Sequence, residues 1–190
     1  MDTRKPTRIV VLGGGTAGWM SAAGLARLLG DRVEVQLIES EDIGIIGVGE
    51  ATLPHIRGFV ERLGISEAAF MKATHATYKL GIDFRDFGRI GESYIHPFGA
   101  FGEELAGVGF HHYWLELQRQ GQAGPLGDYS LCVAAALANK FAPPAQDMSL
   151  RSTYGYAYQF DATLFGPFMR EFGLSIGVTR HEGLVTGVER

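Results

Sequence analysis

The spacing of apolar residues changes several times along the chain, and each change marks an element. Arg8–Leu12 is a short continuous apolar run, rich in β-branched residues and bounded by glycine, which is the pattern of a buried parallel strand. Apolar residues then recur at helical spacing from Thr16 to Leu29, at Trp19, Ala22, Ala23, Leu25 and Leu28, and Gly30 closes that helix. Val33–Ile38 alternates with period two, which predicts a second strand. Strand, glycine turn, helix and strand in this order make a βαβ unit.

Further along, Thr52 reads as the cap of a helix over Leu53–Leu63, with Pro54 near its first turn. Ser66 caps another helix running to about His75. Lys79–Phe84 alternates and reads as one strand, with Leu80, Ile82 and Phe84 on one face and Lys79, Gly81 and Asp83 on the other. Gly91–Gly127 is aromatic and glycine-rich with weak periodicity, apart from a short helix around Tyr113–Arg119. Leu131–Lys140 reads as a helix, and the prolines after it as a loop. Asp161 caps a helix over Ala162–Phe172, and SIGVTR and LVTGVER read as two strands around a turn at His181–Gly183. The final strand has nothing after it to pair with, so the chain reads as a fragment of a larger domain.

Composition narrows the function. A net charge of −4 across 190 residues, with no Lys/Arg cluster, gives no electrostatic footprint for nucleic acid. Cys132 is the only cysteine, so an internal disulfide and a cysteine-based metal cage are both excluded, and a cytoplasmic, reducing setting is expected. The apolar run at Ile9–Leu12 is too short for a secretory signal, and no stretch approaches the roughly 18 apolar residues of a membrane span.

The 27 glycines concentrate where geometry needs them. Gly13, Gly15 and Gly18 form G-x-G-x-x-G between a strand and a helix, the context of a dinucleotide turn. Gly13 permits the tight turn, Gly15 lets the backbone approach a pyrophosphate, and Gly18 lets the helix pack close to the strand. Thr16 and Ala17 lie in the same turn, at the helix N-terminus that would receive the phosphate. Glu39, followed by Ser40, ends the second strand about 20 residues on, where a ribose-binding acid belongs; an acid there suits an unphosphorylated ribose and argues against NADP. A second glycine run, GIIGVGEATLP, is either a connector or part of the site. The adjacent histidines in His111–Trp114 would face opposite ways on a strand, and no carboxylate stands at ligand spacing, so no metal is expected.

GGGTAGWM, GVGEATLP and ATYKLGIDFRDFG, in that order, closely resemble the flavin-dependent tryptophan halogenase family, and YIHPFG and YAYQFDATLF extend the likeness across the chain. The resemblance implies an α/β fold, a Rossmann-like FAD-binding domain of the glutathione-reductase type that is incomplete at its C-terminus. It makes the second glycine run a strap across the FAD, with Val48, Glu50 and Ala51 touching the cofactor. Lys79 matches the family's catalytic lysine, and His96 and Phe98 match a pair that sandwiches an indole. The implied reaction halogenates an electron-rich aromatic ring. Reduced FAD, supplied by a separate flavin reductase, reacts with oxygen and halide to yield hypohalous acid, which Lys79 directs. The family's W-x-W-x-I-P motif and later flavin and halide segments do not occur in these residues, so the chain made alone is expected to be inactive. An aromatic flavin monooxygenase and a non-catalytic FAD-binding fragment are the alternatives.

Overall fold

The structure, a computed structural model, describes residues 5–43, 49–147 and 149–189. They form two compact units. The first is built from Met1–Ala51, Ile56–Thr77 and Gln159–Arg190, and the second from Thr52–His55 and Tyr78–Tyr158.

The first unit holds the predicted βαβ. β1 (Thr7–Leu12), α1 (Thr16–Leu29) and β2 (Val33–Glu39) follow one another as the apolar spacing requires. β1 and β2 pair in parallel, from Thr7 opposite Val33 to Leu12 opposite Ile38. β3 (Gly49–Ala51), α2 (His55–Leu63) and α3 (Glu67–Thr74) come next. Ser66 caps α3 as predicted, its hydroxyl accepting from the Ala69 N–H at 3.5 Å. Thr52 does not cap α2; its hydroxyl donates to the carbonyl of Tyr158 instead, and the helix starts after Pro54.

β4 (Thr77–Lys79) and β5 (Gly81–Arg85) replace the single strand expected over Lys79–Phe84, and β6 (Ser93–Pro97) follows them. Lys79 therefore ends one strand rather than opening another. Between the two strands, the Leu80 carbonyl accepts from the Phe98 N–H at 2.8 Å. β5 and β6 form an antiparallel hairpin with Ile82 opposite His96 and Phe84 opposite Tyr94. β6 was hidden by the weak periodicity of its segment. Gly81 is required there, since a Cβ would lie 2.5 Å from the His96 carbonyl oxygen.

α4 (Phe110–Arg119) carries His111 and His112 on a helix rather than a strand. α5 (Leu131–Leu137) is shorter than expected. β7 (Ala157–Asp161) pairs antiparallel with β3, and α6 (Ala162–Ser175) follows it directly. β8 (Thr179–Glu182) adds to β2 in parallel, giving the order β1-β2-β8. The last predicted strand, LVTGVER, is irregular over residues 183–189.

The core of the first unit lies where α1 meets β2 and α6. Trp19, Ala22 and Ala23 of α1, Leu37 of β2 and Phe165 and Met169 of α6 are almost completely buried. Phe70 of α3 meets Phe160 and Phe165 edge-on at 5.5 and 5.7 Å, the geometry that aromatic quadrupoles favour. In the second unit Tyr78 stacks on Phe141 at 3.5 Å and meets Tyr156 edge-on.

Candidate functional site

A cleft of about 800 Å³ opens in the first unit at the C-terminal ends of β1 and β2. It is lined by Gly13, Gly15, Thr16 and Ala17 of the first glycine turn, and by Glu39, Ser40 and Glu50. This is the position at which open parallel sheets bind ligands. Gly13 has φ +108°, a conformation that side chains rarely adopt, and its N–H is held by the Ile38 carbonyl at 2.8 Å. Gly18 packs against that turn so closely that a Cβ would lie 1.8 Å from the Gly13 carbonyl oxygen. Gly15 has no heavy atom within 4 Å of where a Cβ would stand, so the backbone is open to a ligand on that side.

Gly15 is also the N-cap of α1, without a side-chain cap and with no acid in the first turn. The first N–H groups of a 14-residue helix are thus left for an external acceptor, and an anion suits them. Glu39 stands at the end of β2, with its side chain only 12% exposed. Its carboxylate lies against the turn, and a Cβ on Gly14 would fall 1.4 Å from Oε2. The middle glycine of the run is therefore as constrained as the motif glycines, a requirement that GGG carried in the sequence and the motif pattern did not. Open backbone, free helix N-terminus and buried acid together fit a pyrophosphate followed by a ribose, as a flavin dinucleotide offers.

Of the residues expected to touch the cofactor from the second glycine run, Glu50 lines the cleft and pairs with Phe160 in the sheet. Ala51 is exposed and does not line it. Val48 lies outside the described residues. Sequence reasoning missed Arg170 of α6, which also lines the cleft, and Arg180 of β8. A single arginine in a distant helix or strand has no local signature.

Lys79 lies in the second unit and is buried, 8% exposed. Its Nζ donates to the Thr52 carbonyl at 3.0 Å and stands 5.4 Å from the centre of the Phe98 ring. Thr52 is fixed for this task. Its N–H donates to the Tyr158 carbonyl at 3.0 Å, and its hydroxyl accepts from the Tyr158 N–H at 3.1 Å. Among the described residues no carboxylate forms an ion pair with Lys79. Desolvation costs a buried ion several kcal/mol. One hydrogen bond to a neutral carbonyl and one distant ring return less, about 1.5–3 and 0.5–2 kcal/mol at most. Burial accordingly pushes the Lys79 ammonium below the usual lysine range. A buried lysine whose ammonium form is disfavoured is a better nucleophile than a solvated one.

Phe98 is half-buried beside Lys79, whereas His96 is exposed on β6. His111 and His112 sit with ring centres 3.9 Å apart on α4, and no group of three or more metal-ligating side chains occurs among the described residues.

Comparison with known proteins gives these two sites a context. The chain matches the tryptophan halogenase family over residues 8–190. It is 36% identical to tryptophan 6-halogenase SttH of Streptomyces toxytricini, over 94% of this chain and 38% of that protein. It is 31% identical to tryptophan 7-halogenase RebH of Lentzea aerocolonigenes, over 98% of this chain and 38% of that one. Among solved structures, Xcc4156, a flavin-dependent halogenase from Xanthomonas campestris, superposes with TM-score 0.89 at 43% identity, covering 98% of this chain and 37% of that one. BrvH, a flavin-dependent halogenase from Brevundimonas sp. BAL3, gives TM-score 0.87 at 41% identity, over 97% and 37%. The chain thus spans less than two fifths of the length of the relatives it matches.

Proposed function

The chain belongs to the tryptophan halogenase family, and from that membership we propose that its protein halogenates an electron-rich aromatic ring, tryptophan or another indole, with reduced FAD, oxygen and halide. The observation that carries this reading is the buried Lys79, tied to a neutral carbonyl and without an ion-pair partner among the described residues. A lysine with no structural charge to balance is poorly explained as a support of the fold. It is well explained as a group that must offer an amine to a reagent.

The residues divide the work. The turn at Gly13–Gly18 and the N-terminus of α1 hold the pyrophosphate of FAD, and Glu39 accepts from its adenosine ribose. When bound, reduced flavin would activate oxygen, and oxygen would supply the oxidising equivalents that turn halide into hypohalous acid; a flavin reductase would be the source of the flavin's electrons. Lys79 Nζ then holds the electrophilic halogen, by hydrogen bond or as a haloamine. The Thr52 carbonyl fixes that nitrogen in place, and fixed placement is worth several kcal/mol of barrier. Phe98 and His96 offer faces on which an indole stacks. Exclusion of water by the packing around Lys79 keeps the halogen from hydrolysis.

The test uses the full-length protein with a flavin reductase, FAD, oxygen, bromide and tryptophan or indole, read by mass spectrometry. A brominated product is expected. Lys79→Ala should lower its yield by at least about 10²-fold while bromide-dependent oxidant still forms, and Lys79→Arg should not rescue, since arginine stays charged. Glu39→Ala should weaken FAD binding by about 1.5–3 kcal/mol. A hydroxylated product formed without halide would replace this reading with that of an aromatic monooxygenase.

A further inference from the structure

Glu39 is held by more than the strand it ends. Its Oε2 accepts from the indole N–H of Trp19 at 3.2 Å. Its Oε1 accepts from Arg180 Nε at 2.5 Å. Arg170 approaches the same oxygen at 3.6 Å. The two arginines also pair with Glu41, and Arg180 with Glu182. Of these three carboxylates only Glu39 is withdrawn from water, at 12% exposure against 70% for Glu41 and 46% for Glu182. The network converges on the most buried of its three carboxylates, which lines the cleft together with Glu41.

We propose that Arg180 and Trp19 are positioning residues that clamp the Glu39 carboxylate for the adenosine ribose of the cofactor. The proposal rests on the reading that Glu39 accepts from that ribose. An ionised carboxylate has about four lone-pair sites. The indole and Arg180 each occupy one on a different oxygen, which fixes the plane of the group and leaves one site per oxygen for two ribose hydroxyls. An unclamped glutamate would have to freeze its side-chain rotamers on binding, at a cost in affinity. The Arg180 fork reaches Glu39 through Nε and Glu41 through Nη2 at 2.9 Å, so its own direction is fixed as well.

A merely structural ion pair would tie β8 to β2 and nothing more. The two roles separate in a double-mutant cycle on the equilibrium binding of oxidised FAD to the full-length protein, with thermal unfolding measured alongside. If the clamp operates, Arg180→Gln weakens FAD roughly tenfold in the wild-type background and less than about twofold when Glu39 is already alanine. Trp19→Phe, which keeps the buried ring and removes only the N–H, should weaken FAD about three- to tenfold with the same dependence on Glu39. It also keeps the test alive if Arg180→Gln fails to fold. Arg180→Lys should restore the unfolding temperature more fully than the FAD affinity, because lysine returns the charge without the fork. Equal losses with and without Glu39, or unchanged FAD affinity in both Arg180→Gln and Trp19→Phe, would overturn the clamp and leave the ribose reading standing. Unchanged affinity in Glu39→Ala would overturn the ribose reading and the clamp with it.

Discussion

Burial disfavours the charged form of Lys79, and this makes the residue testable apart from any reaction. Its folded-state pKa is lowered by burial, so between that value and the ordinary 10.5 the unfolded chain binds a proton that the folded chain does not. Stability must then rise with pH through that window. Lys79→Met has no such proton. The stability of the wild type relative to Lys79→Met is therefore expected to improve as pH climbs toward 10.5, by at most about 1.4 kcal/mol per pH unit. Urea unfolding of both proteins across alkaline pH checks this, and a constant difference would mean that Lys79 is solvated in the folded state. The sequence suggested a role for this residue through resemblance alone. Its alternation pattern placed it correctly in extended structure, but a lysine in a strand is ordinarily solvated.

Among the elements, the joint between β7 and α6 was half legible. Asp161 was identified as the cap from its place before an apolar helical run, and it does accept from the Thr163 N–H at 2.8 Å. The strand before it went unread, although Tyr158 and Phe160 are buried and Gln159 and Asp161 exposed; that alternation runs over only four residues. Hydrogen bonds from Thr163 hold the Asp161 carboxyl below the usual aspartate range. A depressed pKa means that the cap's contribution is present above the unfolded value of about 3.9 and is lost as pH falls through the folded one. Asp161→Ala should lower Tm by roughly 2–4 °C at neutral pH. That difference should fade on acidification, which thermal scans at two pH values would reveal. The strand pair after α6 shows the opposite error. Residues 184–188 have strand-like composition but form no ladder among the described residues, because propensity alone does not supply a partner.

At the scale of the whole first unit, cofactor choice depends on β2, α6 and β8 together. Arginine near the ribose acid is ordinarily a sign of NADP. Here the two guanidiniums of Arg170 and Arg180 face the three carboxylates of Glu39, Glu41 and Glu182, a net charge of −1. A ribose phosphate would meet an excess of negative charge with both arginines already engaged. FAD is expected to bind the full-length protein at least about tenfold more tightly than NADP, by fluorescence titration of each. Tighter NADP binding would show that the arginines release their carboxylates on contact with the ligand.

The sequence by itself determined the βαβ unit, the glycine turn after β1, the place of Glu39 at the end of β2 and the caps of α3 and α6. Each of these is written in residues within one or two helical turns of each other, or in a strand and its neighbouring glycine, where steric limits and backbone hydrogen bonding act locally. Tertiary structure decided the rest. Lys79 loses solvent because Thr52 and Phe98, 27 and 19 residues away, close around it. Glu39 gains its guanidinium from a residue 141 positions along the chain. Burial and ion pairing of this kind depend on which surfaces the folded chain brings together, and no local period in a sequence records that.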